Sequence, residues 1–138
     1  FGKIFFDEVV CSHVIEHVKD DRKCLKEINR VLKKRGVLYL RVPNIHNLHT
    51  KFHIKIGSRN PYTDRTHLRE YERESLVKML EETGFKIKSV KQSGFFPPVG
   101  LKFSMVASHY LPWGQFMEYF GEKFPTHAAE IKIIAIKQ

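Results

Sequence analysis

Apolar residues recur in different rhythms along this chain, and the rhythms predict its elements. Residues 5–11 are rich in Phe and Val and alternate only weakly, the pattern of a strand buried on both faces as parallel strands are. Beyond residue 20 the spacing becomes helical: Cys24, Leu25, Ile28, Val31 and Leu32 form one apolar stripe. Asp20 or Asp21 is suited to cap that helix, and Gly36 to end it in a left-handed conformation. Residues 37–42 return to a strand pattern, which Pro43 stops because it has no N–H to offer.

A second helix–strand unit follows a long connection. Residues 44–66 carry Gly57-Ser58 and Asn60-Pro61 as turn signals, and connections of such length usually serve function or movement. Leu76, Val77, Met79 and Leu80 mark the inner face of a helix over 72–83, closed by Gly84, and residues 85–91 alternate as a strand. The stretch 93–127 differs from the rest. It holds nine of the chain's seventeen Phe, Tyr and Trp residues, with Pro97-Pro98 near its start and Pro125 near its end. Trp113, Phe116, Met117 and Phe120 predict a short amphipathic helix there, and residues 101–111 suggest another. Residues 131–136 close the chain as a strand.

Composition narrows the class without naming a task. The 138 residues suit one domain with its own core, and 42% hydrophobic with 28% charged residues is ordinary globular usage. No apolar run is long enough to cross a bilayer. Cys11 and Cys24 read as small buried residues rather than a disulfide framework, so a reducing, cytoplasmic location is expected. The net charge of +9 gathers at Arg22, Lys23, Lys26, Arg30, Lys33, Lys34 and Arg35. A nucleic-acid or anionic-membrane footprint is one reading of that cluster; a solvated helix face is the preferred one.

The block 6–43 carries the most specific pattern. Asp7-x-Val9 leads to Val14-x-x-His17, then Leu25-x-Glu27-x-x-Arg30-Val31-Leu32-Lys33-x-x-Gly36. This strand–loop–helix–strand block resembles the carboxyl-terminal part of class I S-adenosylmethionine-dependent methyltransferases, and most nearly their type 11 group. The resemblance implies an α/β fold with a Rossmann-like, doubly wound sheet, present as its strands four to seven. The last strand should be antiparallel and lie between the fifth and sixth. Residues 1–138 would then be the carboxyl-terminal part of one methyltransferase domain, with a lid-like aromatic insertion at 93–127. The family's Gly-rich cofactor loop belongs upstream of Phe6, where five residues stand, so the chain alone is expected to be inactive and to bind cofactor poorly.

Candidate site residues follow from the same resemblance and from the rule that ligands bind beyond the carboxyl ends of strands in open α/β sheets. Cys11, Ser12 and His13 are expected to contact S-adenosyl-L-methionine. His17, Asn44, His67, Arg69, Trp113 and Phe116 are expected on the acceptor side. His67-Leu68-Arg69-Glu70-Tyr71 resembles the family's H-x-R-x-Y/F element, with Tyr71 as an apolar staple at the helix start. His17 is a conceivable general base, but a structural hydrogen bond is the stronger expectation, and no catalytic residue is assigned. His46, His49 and His53 are spaced as one helix face but lack converging Cys or carboxylate partners, so no metal ligand is expected.

The expected activity is methyl transfer to a small-molecule or lipid acceptor. The rivals are a noncatalytic remnant of the fold and a basic nucleic-acid-binding α/β module. The strand at 5–11 lacks one flanking partner in this chain, so either self-association through its edge or an upstream segment that covers it is expected.

Overall fold

The computed structural model describes residues 6–44, 55, 66–69, 71–94, 112–125 and 128–138. Seven elements occur in the order β1 (Phe6–Ser12), α1 (Asp21–Val31), β2 (Leu32–Pro43), α2 (Arg73–Glu82), β3 (Phe85–Ser93), α3 (Trp113–Lys123) and β4 (Glu130–Lys137). The strands form one sheet in the order β1-β2-β4-β3. β1 pairs with β2 in parallel, while β4 runs antiparallel to both β2 and β3. This is the expected arrangement, with the last strand slipped between its two predecessors. The carboxyl ends of β1, β2 and β3 therefore lie along one edge of the sheet, joined there by the amino end of β4.

Alternation in the strands explains where the core sits. Leu38, Leu40 and Val42 of β2 and Ile131, Ile133 and Ala135 of β4 are buried on one face. Leu25 of α1 and Leu76, Met79 and Leu80 of α2 close over them, forming one hydrophobic cluster. Asp20 caps α1 by accepting from the Lys23 N–H at 2.8 Å, which satisfies one of the helix's orphan donors. Asn29 ties the two helices together by donating to the Gly84 carbonyl at 2.9 Å. Gly84 takes the left-handed conformation (φ 90°) that ends α2, as the sequence predicts.

The opposite face is less covered. The alternating residues Lys91 and Lys132 pair with each other across β3 and β4 and point away from the core. They meet Glu122 and Glu118 of α3 as ion pairs, which places α3 over that outer face. Gly121 of α3 rests on the backbone of Gly94, so closely that a Cβ there would lie 2.4 Å from the Gly94 nitrogen.

Two expectations change. β1 is not buried on both faces: Val9 and Cys11 turn inward, whereas Val10 is 75% exposed and Phe6 43% exposed. Among the described residues β1 has one strand neighbour and no helix over its outer face, so only half of its apolar positions find a core. The turn after α1 also differs, because the helix ends at Val31 and the chain enters β2 at once, Leu32 pairing with Phe6. Arg35, not Gly36, is the left-handed residue (φ 65°). Gly36 is needed for space instead: a Cβ there would meet the carbonyl oxygens of Lys33 at 2.9 Å and Asp7 at 3.1 Å. The basic cluster is accordingly split between α1 and the start of β2. Several of its members pair locally, Lys33 with Asp7, Arg30 with Glu27 and Arg22 with Glu82. The second helix expected at 101–111 and the histidines at 46, 49 and 53 lie outside the described residues.

Opposite responses at adjacent positions are expected from this turn. Gly36→Ala should lower stability by about 1–3 kcal/mol through overpacking. Arg35→Gly should be stabilising, because a left-handed non-glycine residue carries roughly 1–2 kcal/mol of strain that glycine lacks. Urea denaturation of the two variants checks the order; if Gly36 were the left-handed cap, Arg35→Gly would show no relief.

Candidate functional site

Beyond the carboxyl end of β1 the chain turns sharply, and His13 adopts a left-handed conformation (φ 52°). Histidine tolerates that region better than most residues, but a non-glycine there is held by its surroundings. The holding contacts are specific. The His13 N–H donates to the Arg41 carbonyl at 3.0 Å. Its ring lies between two carboxylates, Nδ1 at 3.1 Å from Glu16 Oε1 and Nε2 at 3.2 Å from Glu130 Oε1. Arg41 reaches the other oxygen of Glu130 at 2.9 Å. The turn is thus welded to the ends of β2 and β4.

A second segment clamps the same turn from above. Leu68 donates its N–H to the Glu16 carbonyl at 2.9 Å. Arg69 donates to the carbonyls of Val18 at 2.9 Å and Lys19 at 2.8 Å, and its guanidinium also faces Asp21 at 3.3 Å. The buried Tyr71 hydroxyl lies 3.1 Å from both the Ile15 carbonyl, to which it donates, and Asp21 Oδ2. Burial first, and then Asp21, push the Tyr71 phenol far above its ordinary range, so it stays a neutral donor at any working pH. Tyr71 is therefore more than the apolar staple its position suggested.

The clamp brings side chains together. His17 Nδ1 lies 2.9 Å from the Thr66 hydroxyl and 3.3 Å from the Thr66 carbonyl. The His17 and His67 rings meet edge to face with centroids 4.7 Å apart. Glu16 is fully buried beside them; its Oε2 has no hydrogen-bond partner. The donor atoms of Glu16, His17 and His67 fall within 4.8 Å of one another, a grouping able to hold a metal ion. Sequence reading sought metal ligands close together in the chain and so missed this set, which is assembled by hydrogen bonds between distant loops.

The remaining candidates are placed unevenly. Ser12 is exposed at the end of β1 and lines a groove of about 410 Å³ on the outer face, with Val10, Tyr39, Arg41, Lys91 and Lys132. Cys11 faces the core at 4% exposure, so only its backbone is available to a ligand. Burial, then the nearby Cys24 and Glu16, push its thiol up to about 11. Asn44 is 1% exposed and donates its amide to the Ala128 carbonyl at 2.9 Å, which fastens β2 to the start of β4. Phe116 is 45% exposed and packs on Phe120 at 4.8 Å, so it is not part of the core. Trp113 begins α3; its side chain lies outside the described atoms.

The comparisons with known proteins fit this architecture. A family described as "Methyltransferase domain" matches residues 3–90, well over half of the 138. The chain belongs to this methyltransferase-domain family. No curated protein matches it significantly. Among solved structures, a SAM-dependent methyltransferase from Archaeoglobus fulgidus is similar at 20% identity and TM-score 0.60, over 98% of this chain and 61% of that one. A SAM-dependent methyltransferase from Thermotoga maritima, described as a possible histamine N-methyltransferase, is similar at 20% identity and TM-score 0.62, over 96% and 56%. The [4+2]-cyclase SpnF is similar at 21% identity and TM-score 0.60, over 99% and 51%. Such identities speak to the fold alone. The chain spans between 51% and 61% of the length of these three structures. Among the described residues no helix is long and apolar enough to cross a membrane.

The Cys11 environment yields a direct check. A raised thiol pKa favours the protonated, folded form, so its contribution to stability is fully present below the ordinary value of 9.0 and lost as pH rises through about 11. At pH 8, alkylation of Cys11 by iodoacetamide in the folded protein should run at least tenfold slower than in urea, since the thiolate is the nucleophile. Peptide mass spectrometry over a time course measures it. Equal rates in both conditions would mean that the end of β1 is open.

Proposed function

We propose that this chain is the acceptor-facing part of an S-adenosylmethionine-dependent methyltransferase. The observation that carries the reading is the family match over residues 3–90, which spans the β1 turn and the clamp above it. When bound, S-adenosylmethionine supplies a sulfonium methyl group that a nucleophilic acceptor can displace. The exposed Ser12 hydroxyl, at the groove beyond β1, would hydrogen-bond the cofactor's polar end, and the backbone of Cys11 and His13 would line it. His13, fixed between Glu16 and Glu130, would position that contact rather than transfer a proton. His67, with the exposed aromatic side of α3, would face the acceptor.

Catalysis on this reading rests on bringing acceptor and methyl donor into line, which needs no dedicated acid or base. Such a mechanism also leaves room for varied pocket chemistry, in keeping with the absence of an evident catalytic dyad among the described residues. A small-molecule or lipid acceptor suits the exposed Phe116, Tyr119 and Phe124 of the α3 region. A cytoplasmic location and an acceptor of that class are parts of the proposal.

The test is direct. The intact protein, given methyl-labelled S-adenosylmethionine and a panel of small-molecule and lipid acceptors, should release S-adenosylhomocysteine in an acceptor-dependent way. Absence of any binding of either cofactor form by the intact protein would overturn the reading. The 138 residues alone should bind S-adenosylmethionine more weakly than micromolar, because none of their eight glycines forms a G-x-G segment. Calorimetry showing micromolar binding by this chain would contradict that expectation.

Acceptor choice should depend on α3. Trp113→Ala together with Phe116→Ala is expected to raise the acceptor KM severalfold and leave cofactor affinity nearly unchanged. The exposure of Phe116 argues against the loss of about 3–5 kcal/mol that an aromatic-to-Ala change costs in a core. Steady-state kinetics and a thermal melt on the same variant separate the two outcomes.

A further inference from the structure

Three donor groups meet beside the β1 turn. Glu16 and His17 come from the turn itself and His67 from the clamp above it, and their ligating atoms lie within 4.8 Å of one another. We propose that these three side chains form a binding site for one divalent first-row transition-metal ion.

Glu16 is the strongest reason. Its side chain is wholly buried, and while Oε1 is engaged by His13 at 3.1 Å, Oε2 has no partner. A buried carboxylate is ordinarily paired, hydrogen-bonded or bound to a metal, and one oxygen here has no hydrogen bond. The second reason is the orientation of His17. Its Nδ1 is held by Thr66, through the hydroxyl at 2.9 Å and the carbonyl at 3.3 Å. With Nδ1 held by Thr66, Nε2 is the ring nitrogen left to ligate, and such a supporting hydrogen bond is usual for ligating histidines. The third is chemical matching. Two imidazoles and one carboxylate suit zinc, iron, manganese or cobalt, whereas calcium and magnesium take oxygen ligands.

Geometry permits it. Donors bound to one ion at about 2.0–2.2 Å are separated by roughly 3–4 Å, which small side-chain rotations reach from the observed spacing. Three protein ligands leave further positions open, as sites with exchangeable ligands require. An ion there would lie beyond the carboxyl end of β1 and could hold an acceptor oxygen as a Lewis acid. That role rests on the methyl-transfer reading; the binding of the ion does not.

The probe is Co2+ itself, titrated into the full chain and followed by its visible absorption, with Zn2+ as competitor. One Co2+ per chain, displaced by Zn2+, is the expected result. His67→Ala and His17→Ala should each weaken binding at least tenfold, while a His46→Gln, His49→Gln, His53→Gln triple variant should keep it. Absence of saturable binding would overturn the proposal, as would binding that survives the double His17→Ala, His67→Ala variant or disappears in the triple variant. Glu16→Gln should also weaken binding; if that buried change unfolds the chain by circular dichroism, the partly exposed His67→Ala decides. Co2+ binding as described in a protein that transfers no methyl group would refute only the methyl-transfer role. Methyl transfer by a protein with no Co2+ site would refute only the metal site.

Discussion

The arrangement depends on one set of hydrogen bonds, those by which Leu68, Arg69 and Tyr71 grip the backbone of the turn after β1. Four consecutive or nearly consecutive carbonyls, of Ile15, Glu16, Val18 and Lys19, are each met by a donor from Tyr71, Leu68 or Arg69. A loop segment without secondary structure leaves its carbonyls to water unless something else binds them. Here the acceptors are satisfied by protein, and the turn becomes as fixed as the strands it joins. Because Arg69 and Tyr71 also share Asp21 in the first turn of α1, the same contacts set the start of that helix. Removal of the clamp would free the turn, the helix start and the imidazole pair together.

The turn is also tied downward, and this second tie explains the left-handed His13. Arg41 of β2 pairs with Lys132, and Glu130 of β4 pairs with Pro43 two residues further on. The Glu130 carboxylate bridges Arg41 and the His13 ring. A strained backbone conformation persists where its environment over-determines it, and the ring's two carboxylate contacts with the Arg41 carbonyl do so. Strain and a buried carboxyl group with an unpartnered oxygen coincide within four residues, at the end of the sheet where open α/β folds bind their ligands. None of these features is needed to close the hydrophobic core, whose packing lies on the helix side of the sheet.

Element types were legible because each element carries an uninterrupted pattern. The stripe of Leu25 and Ile28, the run Leu38–Leu40–Val42 and the alternation Ile131–Ile133–Ala135 all point one way. The antiparallel β4 came from family resemblance, since no local pattern dictates strand order. Two things escaped. The turn at Arg35 and Gly36 was misread because glycine is the common left-handed residue, whereas here it is demanded by the Asp7 and Lys33 carbonyls, which leave no room for a Cβ. The exposure of Val10 escaped because a buried strand and a half-buried one differ in what lies beyond them, and a sequence window cannot show that. For the site, Ser12 and His13 were visible by position at a strand end. The partnership of Glu16, His17 and His67 was not, since it depends on Leu68, Arg69 and Tyr71 closing on a turn far away in the chain.

What the fold leaves open, side chains must decide. The same architecture serves structures described as methyltransferases and one described as a [4+2]-cyclase, so a sheet of this order does not name a reaction. Discrimination has to come from groups that meet the bound molecules. Asn44 and Arg69 are largely occupied in holding the backbone, one 1% exposed on the Ala128 carbonyl and the other on two loop carbonyls. Cys11 is withdrawn into the core. That leaves Ser12 and His13 at the strand end, the His17–His67 pair with Glu16 beneath it, and the exposed aromatic side of α3. On the proposed reading the first group would face the cofactor, the second would suit an ion or a polar acceptor group, and the third an apolar surface. A molecule touching all three would carry a polar, oxygen-bearing end beside an apolar body, and that combination of chemistries is where the search for the acceptor begins.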